Sequence, residues 1–323
     1  MRKEDIERIA PDMRAIGKVE NLLIPPFDQR KSKAEVEICK TLLGGKWLGK
    51  NTALQEEYLP RADGTRLRLL VIQPKDTTPD GPGLLWIHGG GYGTGVPEQD
   101  FFYIDRFCTA ANCTVVTPDY RLSYEAPYPA GLQDCYAALK WMRGNASRFG
   151  IHTDQLFVGG DSAGGGMAAA VALYARDQKE VAVAFQMLFF PMLDDRMATP
   201  SSQNNRMPVW DSDSNEKAWK AYLGPLYGTE DVPCYAAPAR VKDFTGLPPA
   251  CAFVGTVDHF YDETAQYMRS LQEAGIPARF KAFEGCYHAF DVMAPWSEES
   301  KEAREFYMDC FNEAVARYFA KQP

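Results

Sequence analysis

The chain has 323 residues, a length that fits two domains or one large α/β domain with an insertion. Hydrophobic residues make up 46% of it and charged residues 24%. These proportions are typical of a folded globular protein and exclude a mainly disordered chain. With 35 Lys and Arg against 43 Asp and Glu, the net charge is −8, and this acidic balance disfavours a nucleic-acid-binding function.

Targeting and cysteine signals favour a cytoplasmic protein. The N-terminus is charged from its second residue and has no apolar segment of the kind that a secretory signal needs. No run reaches the roughly 18 apolar residues of a membrane span. Eight cysteines are present without any C-x-x-C pair, so we interpret most of them as buried thiols and expect no metal site.

The first fifty residues show helical spacing of apolar positions in two segments, Glu4–Lys18 and Lys31–Leu43. Between the two segments lies Pro25-Pro26. This pair ends a helix because proline lacks an N–H and clashes with the preceding turn. We therefore predict two helices ahead of the first strand.

Strands and helices then alternate along the chain. A hairpin turn signal, Asp63-Gly64, separates the first two predicted strands. The later strands are continuous apolar runs, as expected in a parallel sheet that helices cover on both faces. The predicted strands are Glu56–Pro60, Arg66–Ile72, Leu84–His88, Thr114–Thr117, Leu156–Gly159, Phe185–Phe190, Ala250–Gly255 and Ala278–Phe283. The predicted helices are Gly131–Arg143, Ala163–Arg176, Tyr261–Ala274 and Ser297–Phe319.

One interval interrupts this alternation. From Asp194 to Pro233 the sequence is polar and carries many turn residues, with scattered aromatic side chains. A single helix, Asn215–Leu223, is predicted inside it. We interpret the interval as an insertion that lies over the sheet.

The most informative motif is Gly160-Asp161-Ser162-Ala163-Gly164, between a predicted strand and a predicted helix. This context matches a nucleophile elbow, in which a tight, strained turn exposes the serine Oγ above the sheet and glycines leave room for neighbouring backbone. We expect the Asp161 side chain to point away from the substrate and to hold the turn. A glycine-rich turn with an ordinary solvent-exposed serine is the alternative interpretation.

A second motif, His88-Gly89-Gly90-Gly91-Tyr92, follows another predicted strand. Consecutive glycines let backbone N–H groups approach a substrate, and acyl transfer needs such donors because its tetrahedral intermediate carries an oxyanion. The N–H of Ala163, directly after the predicted nucleophile, supplies the other half of such a site. A phosphate-binding loop is disfavoured because no Lys-Ser/Thr pair and no G-x-G-x-x-G pattern occur here.

A serine nucleophile needs a base, and the chain has four histidines. We expect His88 to orient the glycine loop, and His152 precedes the serine-bearing strand. In a sheet with a nucleophile elbow, the order along the chain is serine, acid, histidine. This order favours His288, just past the last predicted strand, over His259, which would leave no acid at the right strand end.

Asp258 is the predicted acid that orients His288. It follows the predicted strand Ala250–Gly255, and open α/β sheets place their sites at the carboxyl ends of parallel strands. Asp262 is the rival, but it starts a predicted helix, where a carboxylate that caps free N–H groups needs no further role.

These motifs resemble the hormone-sensitive-lipase-like branch of the α/β-hydrolases, esterases with HGGG and GDSAG motifs. The resemblance covers nearly the whole chain and includes Asp119-Tyr120-Arg121-Leu122, Gly255-Thr256-Val257-Asp258 and Gly285-Cys286-Tyr287-His288-Ala289-Phe290. It implies an α/β-hydrolase fold with a mostly parallel central sheet, flanking helices and a helical cap. The cap would comprise residues 1–49 and an insertion at 194–233, and the catalytic domain residues 50–193 and 234–323.

The resemblance also implies a role for each motif residue. Ser162 would be the nucleophile, His288 the base and Asp258 its orienting acid. The N–H groups of Gly90, Gly91 and Ala163 would bind the oxyanion, with Gly89 as a further candidate. The sequence departs from the family at His259-Phe260, where Pro-Leu is common, which puts the pocket wall and its pH response in doubt.

Together these features predict a serine carboxylesterase that hydrolyses short-acyl esters through an acyl-enzyme, without metal or cofactor. Short acyl chains are expected because the sequence shows neither a secretion signal nor an apolar lid. A deacetylase of acetylated sugars or metabolites and an amidase with the same triad are alternatives. A non-catalytic small-molecule binding protein on this fold is an alternative of another class, which the presence of all three triad residues disfavours.

Other candidate residues concern the substrate pocket. Gly89, Tyr92 and Trp210 are candidate substrate-binding residues, and Tyr92 and Trp210 serve equally well as core or cap packing. The same choice applies to the aromatic residues Phe101, Phe102 and Tyr103. The expected partner is a small-molecule ester, with no nucleic acid and no membrane span, and a twofold homodimer is the expected assembly.

Overall fold

A sheet of eight strands forms the centre of the structure, a computed structural model that describes residues 2–46 and 49–323. The strands follow the order β1-β2-β4-β3-β5-β6-β7-β8, and among them only β2 runs against its neighbours. The predicted mostly parallel sheet is therefore confirmed. The strands are β1 Thr52–Pro60, β2 Arg66–Pro74, β3 Gly81–Ile87, β4 Thr114–Pro118, β5 Ile151–Asp161, β6 Phe185–Phe189, β7 Ala250–Gly255 and β8 Ala278–Phe283.

Helices cover both faces of this sheet. Successive side chains of a strand point to opposite faces; on β3, Leu85 and Ile87 enter one core cluster and Leu84 and Trp86 the other. Residues of α5, α6 and α8 complete the first cluster, and residues of α4 and α10 complete the second. The helices are α1 Lys3–Arg8, α2 Arg14–Leu23, α3 Gln29–Leu43, α4 Phe101–Ala111, α5 Ala130–Gly144, α6 Ala163–Gln178, α7 Ser212–Leu223, α8 Tyr261–Glu273, α9 Phe290–Met293 and α10 Glu298–Arg317.

The helix α4 is absent from the predicted helices. It connects β3 to β4, which are parallel neighbours, and parallel strands need a crossover connection that is usually a helix. Its aromatic start was interpreted only as pocket or core. Tyr103 lies fully buried in the core and donates its hydroxyl to Asp291 Oδ2 at 2.6 Å, so it packs the fold and does not line a pocket.

The prediction of one helix over Glu4–Lys18 was wrong, because the chain forms α1 and α2 with a break between them. Pro11 lies in the break, where it removes an N–H and disfavours helical backbone at the preceding residue. The break lets Ile9 and Met13 enter the core and lets the Ala10 N–H bond the carbonyl of Gly285 at 2.9 Å. As predicted, α2 ends just before Pro25-Pro26.

The N-terminal helices and the insertion contact each other above the sheet. The Phe27 N–H donates to Ser214 Oγ on α7 at 3.2 Å, and the Phe27 ring lies 6.1 Å from that of Trp210. The division into cap and catalytic domain stays a prediction, and Met1, Trp47 and Leu48 of its first segment lie outside the described residues. Within the first segment, α2 and α3 expose apolar side chains, among them Leu22, Leu23, Ile38 and Leu42.

Candidate active site

The three predicted triad residues lie at one edge of the sheet. Ser162 follows β5 directly, Asp258 lies three residues past β7, and His288 lies five residues past β8. These strands run parallel through β6, so their carboxyl ends share an edge. The structure therefore brings together side chains that are as far as 126 positions apart in the chain.

A continuous line of hydrogen bonds joins the three side chains. His288 Nδ1 lies 2.9 Å from Asp258 Oδ2, and His288 Nε2 lies 2.9 Å from Ser162 Oγ. An ionised carboxylate only accepts, so Nδ1 carries the ring proton and Nε2 is left to accept from the serine hydroxyl. The other Asp258 oxygen accepts the Phe260 N–H at 3.0 Å, which fixes the carboxylate. Ser162 itself is almost fully buried, with 5% of its surface exposed.

The turn at Ser162 has the geometry of a nucleophile elbow. Ser162 has φ 53° and ψ −121°, a region that residues with a side chain rarely adopt. A Cβ at Gly160 or Gly164 would lie 2.3 or 1.9 Å from the carbonyl oxygen of Ile87. Only glycine fits at these two positions, because the end of β3 lies directly against both the end of β5 and the first turn of α6.

The glycine loop presents backbone N–H groups beside the serine. Gly90 and Gly91 have φ 119° and 58°, which glycine adopts without strain. Within the described residues, the N–H groups of Gly90, Gly91 and Ala163 have no hydrogen-bond partner. Gly89 differs, because its N–H donates to Asp161 Oδ1 at 2.9 Å. Gly89 thus anchors the loop, and its N–H is not available to a substrate.

Comparison with known proteins decides the family. A sequence profile for an α/β-hydrolase fold matches residues 84–292, well over half of the chain. The carboxylesterase NlhH of Mycobacterium tuberculosis is 35% identical over 228 residues, which cover 68% of this chain and 70% of that protein. The chain belongs to the α/β-hydrolase family.

Two further relatives match this hydrolase over almost its whole length. A bacterial heroin esterase of known structure has 31% sequence identity and a TM-score of 0.88, and the match covers 96% of this chain and 99% of that one. An ethyl acetate hydrolase of Pseudomonas putida is 26% identical over 298 residues, which cover 90% of this chain and 91% of that protein. The predicted α/β-hydrolase fold is thereby confirmed.

His88 holds the glycine loop of the hydrolase from within the core. Its buried ring stacks on Tyr120 at 4.5 Å between centroids, and its Nδ1 lies 2.8 Å from the Gly89 carbonyl oxygen. The Tyr120 hydroxyl donates to the His88 carbonyl at 3.0 Å. Burial lowers the pKa of His88, which favours a neutral ring whose Nδ1–H donates to Gly89.

Aromatic rings surround the triad histidine. The ring centroids of Phe190 and Phe260 lie 5.0 and 5.1 Å from that of His288, and Trp210 lies 6.3 Å away. Trp210 is among the predicted substrate-binding residues, and the two phenylalanines are not. Only their positions in the sequence could have indicated a place near the site. Phe190 ends a predicted strand, and Phe260 lies two residues past the predicted acid.

Trp210 and Tyr92 play different parts. A Cβ at Gly91 would lie 2.3 Å from Trp210 Cη2, so the indole rests directly on the glycine loop. Tyr92 is 2% exposed, stacks on Tyr222 at 4.0 Å and donates its hydroxyl to the Met192 carbonyl at 2.9 Å. Tyr92 thus packs the loop against α7, and Trp210, from the insertion, lies beside Gly91 and His288.

Neither rival catalytic residue is hydrogen-bonded to Ser162 or His288 among the described residues. Asp262 accepts the N–H of Ser201, in the insertion, at 2.8 Å. His259 is fully buried, its carbonyl accepts the Ser201 hydroxyl at 3.0 Å, and its ring nitrogens have no hydrogen-bond partner among the described residues.

In the described part of the chain, no group of three or more His, Cys, Asp or Glu side chains is arranged to hold a metal ion. The same part contains no helix that could cross a membrane.

Proposed function

We propose that this α/β-hydrolase is a serine carboxylesterase that hydrolyses small, short-acyl esters through an acyl-enzyme. The observation that carries the proposal is the unbroken hydrogen-bonded line from Ser162 through His288 to Asp258. It lies beside backbone N–H groups that have no partner in the described structure. Nucleophile, base, orienting acid and oxyanion donors are the four parts that acyl transfer requires.

The chemistry follows from these positions. His288 Nε2 takes the hydroxyl proton as Ser162 Oγ attacks the ester carbonyl carbon, and Asp258 stabilises the imidazolium that forms. The oxyanion of the tetrahedral intermediate accepts from the N–H groups of Gly90, Gly91 and Ala163. Each such donor contributes about 100-fold to 1000-fold to kcat in serine hydrolases.

Collapse of the intermediate breaks the bond to the alcohol. His288 returns its proton to the departing alkoxide, and the acyl group stays on Ser162 Oγ. Water then repeats the sequence with His288 as base, which releases the acid and restores the serine. Every proton in this cycle moves through His288.

The crowding around His288 supports small substrates. Trp210 rests on Gly91, and Phe190 and Phe260 flank the histidine ring. These rings are buried or half-buried, and packed aromatic side chains resist displacement by a long acyl chain. The name of the ethyl acetate hydrolase from Pseudomonas putida, a relative over most of the chain, agrees with a short acyl group.

The test is hydrolysis of p-nitrophenyl esters from acetyl to lauroyl by the wild-type protein and by Ser162→Ala. We expect a serine-dependent kcat/KM that is highest for short chains. A matched anilide separates an esterase from an amidase, and acetylated sugars test the deacetylase alternative. Absence of serine-dependent hydrolysis for every substrate contradicts the proposal and favours a binding protein.

Two expectations about the cellular context belong to the same proposal. The enzyme is expected to act in the cytoplasm on a small molecule, and to form a twofold homodimer. Sedimentation equilibrium of the full chain measures the mass of the assembly, and a monomer mass at all concentrations contradicts the dimer. Fractionation of the source cells tests the compartment.

A further inference from the structure

Two carboxyl groups meet beneath the glycine loop. Asp161 directly precedes Ser162, and its Oδ1 accepts the Gly89 N–H at 2.9 Å. Asp100 directly precedes α4, and its Oδ2 accepts the Trp86 indole N–H at 2.9 Å. The two carboxyl groups also lie within hydrogen-bonding reach of each other. The pair thus links the strand end of the nucleophile to the loop that presents the oxyanion donors.

A hydrogen bond between two carboxyl groups requires a proton, because an ionised carboxylate only accepts. Two ionised carboxylates in contact would also repel each other strongly where water is largely excluded. Asp100 is 3% exposed and Asp161 is half-buried. Burial and the neighbouring Asp161 raise the pKa of Asp100 well above its ordinary value, and burial raises the pKa of Asp161.

We propose that Asp100 and Asp161 share one proton and that this proton holds the glycine loop in its catalytic position. Both aspartates are positioning residues, since their carboxyl groups act on the reaction only through Gly89 and Ser162. The kinetic part of this inference rests on the proposed esterase function. The proton-sharing part does not.

The same network holds both sides of Gly89. The Gly89 N–H is tied to Asp161, and its carbonyl oxygen lies 2.8 Å from His88 Nδ1. Gln99, next to Asp100, reaches that carbonyl at 3.5 Å through Nε2. When the shared proton leaves to solvent at alkaline pH, two negative charges face each other at the base of the loop. Repulsion then displaces Asp161 and the Gly89 N–H, and the added charge opposes formation of the oxyanion.

Other titratable groups surround the pair on the neighbouring elements. Burial raises the pKa of Tyr103 and Tyr120 well above their ordinary values, so both stay neutral at mildly alkaline pH. Burial raises the pKa of Asp291 to about 7, which makes Asp291 the competing source of a pH effect. The experiment must therefore distinguish titration of the aspartate pair from titration of the groups around it, which are His88, Tyr103, Tyr120, His288 and Asp291.

Asparagine at either position replaces the shared proton with an amide NH₂ group, which donates a hydrogen bond at every pH. In Asp100→Asn the amide oxygen accepts from Trp86 and the NH₂ group donates to Asp161. In Asp161→Asn the oxygen accepts from Gly89 and the NH₂ group donates to Asp100. We expect wild-type kcat/KM to fall at alkaline pH and each single variant to lack this fall. Asp105→Asn, the same change on α4 outside the pair, and Asp291→Asn should both retain it.

The double variant Asp100→Asn/Asp161→Asn gives a second, opposite expectation. Both oxygens are needed by Trp86 and Gly89, so two NH₂ groups face each other without an acceptor. We expect its kcat to lie about tenfold or more below the product of the single effects. Additive effects of the two substitutions contradict a shared proton.

Infrared difference spectra test the proton itself, whether or not the protein hydrolyses esters. At mildly alkaline pH, the wild-type protein should show the C=O stretch of a protonated carboxyl group, and both single variants should lose it. Asp291→Asn serves as the reference for the band of that residue. Loss of the band only in Asp291→Asn, or an alkaline fall in kcat/KM that both single variants keep, overturns the proposal. If the wild-type protein has no esterase activity, the proposed function is contradicted. The infrared spectra still show whether Asp100 and Asp161 share a proton, because they do not depend on hydrolysis.

Discussion

At Ser162 the backbone, and not only the side chains of Asp258 and His288, sets the position of the predicted nucleophile. The Ser162 N–H donates to the Phe189 carbonyl at 2.9 Å, and the Ser162 carbonyl accepts the N–H groups of Gly166 and Met192. These bonds hold a conformation with φ 53° that is unfavourable by itself. None of them uses the hydroxyl, so the turn should persist when the hydroxyl is removed.

His259 is a buried group that the proposed reaction does not use. Its ring is fully buried beside Asp258 and lacks a hydrogen-bond partner among the described residues. Burial lowers its pKa from 6.5 to about 4, so the folded protein keeps the ring neutral at neutral pH. This residue therefore affects how the fold responds to acid.

His259→Leu should make the protein less sensitive to acid. As the pH falls below 6.5 the unfolded chain binds a proton at this histidine, and the folded chain does not until about pH 4. Wild-type stability is lost across that window, by about 3 kcal/mol in total. Urea titration measures the free energy of unfolding of both proteins. The difference between the variant and the wild type should shift in favour of the variant by this amount as the pH is lowered from neutral to 4.

The control for this comparison is His152→Leu, at a half-buried position on β5. Both variants remove one histidine, so a general effect of charge would move them together. Stability curves of His259→Leu and the wild type that stay parallel throughout the acid range contradict a neutral His259 in the folded state.

At the scale of the elements, glycines set how closely β3, β5 and α6 approach. Gly164 lies in the first turn of α6, where a Cβ would lie 1.9 Å from the Ile87 carbonyl oxygen. Gly144, in the last turn of α5, has no atom within 4 Å of the same ideal position. The two helical glycines therefore provide a matched pair.

Gly164→Ala should destabilise the protein by about 2 kcal/mol or more, because β3 or α6 must shift. Gly144→Ala should stabilise it by up to about 1 kcal/mol through helix propensity alone. Thermal or urea unfolding of the two variants measures whether the first loses stability and the second gains it. A neutral effect of Gly164→Ala contradicts the close contact between α6 and β3.

The element pattern explains what could be predicted from sequence. That Ser162, Asp258 and His288 meet could be predicted because each follows a recognisable apolar strand, and the order along the chain predicts their roles. The helix α4 was missed because its aromatic start, Phe101-Phe102-Tyr103, was judged by residue type and not by the crossover that parallel strands need. The break between α1 and α2 was missed although Pro11 marks it.

At the scale of the whole molecule, the predicted cap and the sheet meet at the candidate active site. Trp210 comes from the insertion, rests on Gly91 and donates its indole N–H to Asn215 Oδ1 at 3.1 Å. Phe27, between α2 and α3, contacts the same indole. One side chain thus joins both parts of the predicted cap to the glycine loop.

Trp210→Ala should extend the range of acyl chains. Removing the indole opens space beside His288, so kcat/KM for hexanoyl and octanoyl esters should rise relative to that for acetyl ester. The exposed Trp296, before α10, provides the control substitution Trp296→Ala, which should leave the ratio as in the wild type. An unchanged preference in Trp210→Ala contradicts the placement of this residue at the substrate.

Contacts between distant segments were beyond sequence analysis. Asp100 and Asp161 are 61 positions apart, and no local pattern indicates that two acidic side chains meet. The contact of Trp210 with Gly91 joins an insertion to a loop through packing, which residue type alone does not specify. In both cases the sheet topology brings the segments together, and the side-chain partner follows only from the assembled fold.

The central claim is that Ser162 carries the acyl group during turnover. The most direct measurement is acid quenching of the wild-type protein during steady hydrolysis of a p-nitrophenyl ester, followed by peptide mass spectrometry. The account predicts one acyl group on the peptide that contains Ser162, and no acyl group and no turnover in Ser162→Ala. Acylation of another residue, or turnover that persists in Ser162→Ala, would contradict it.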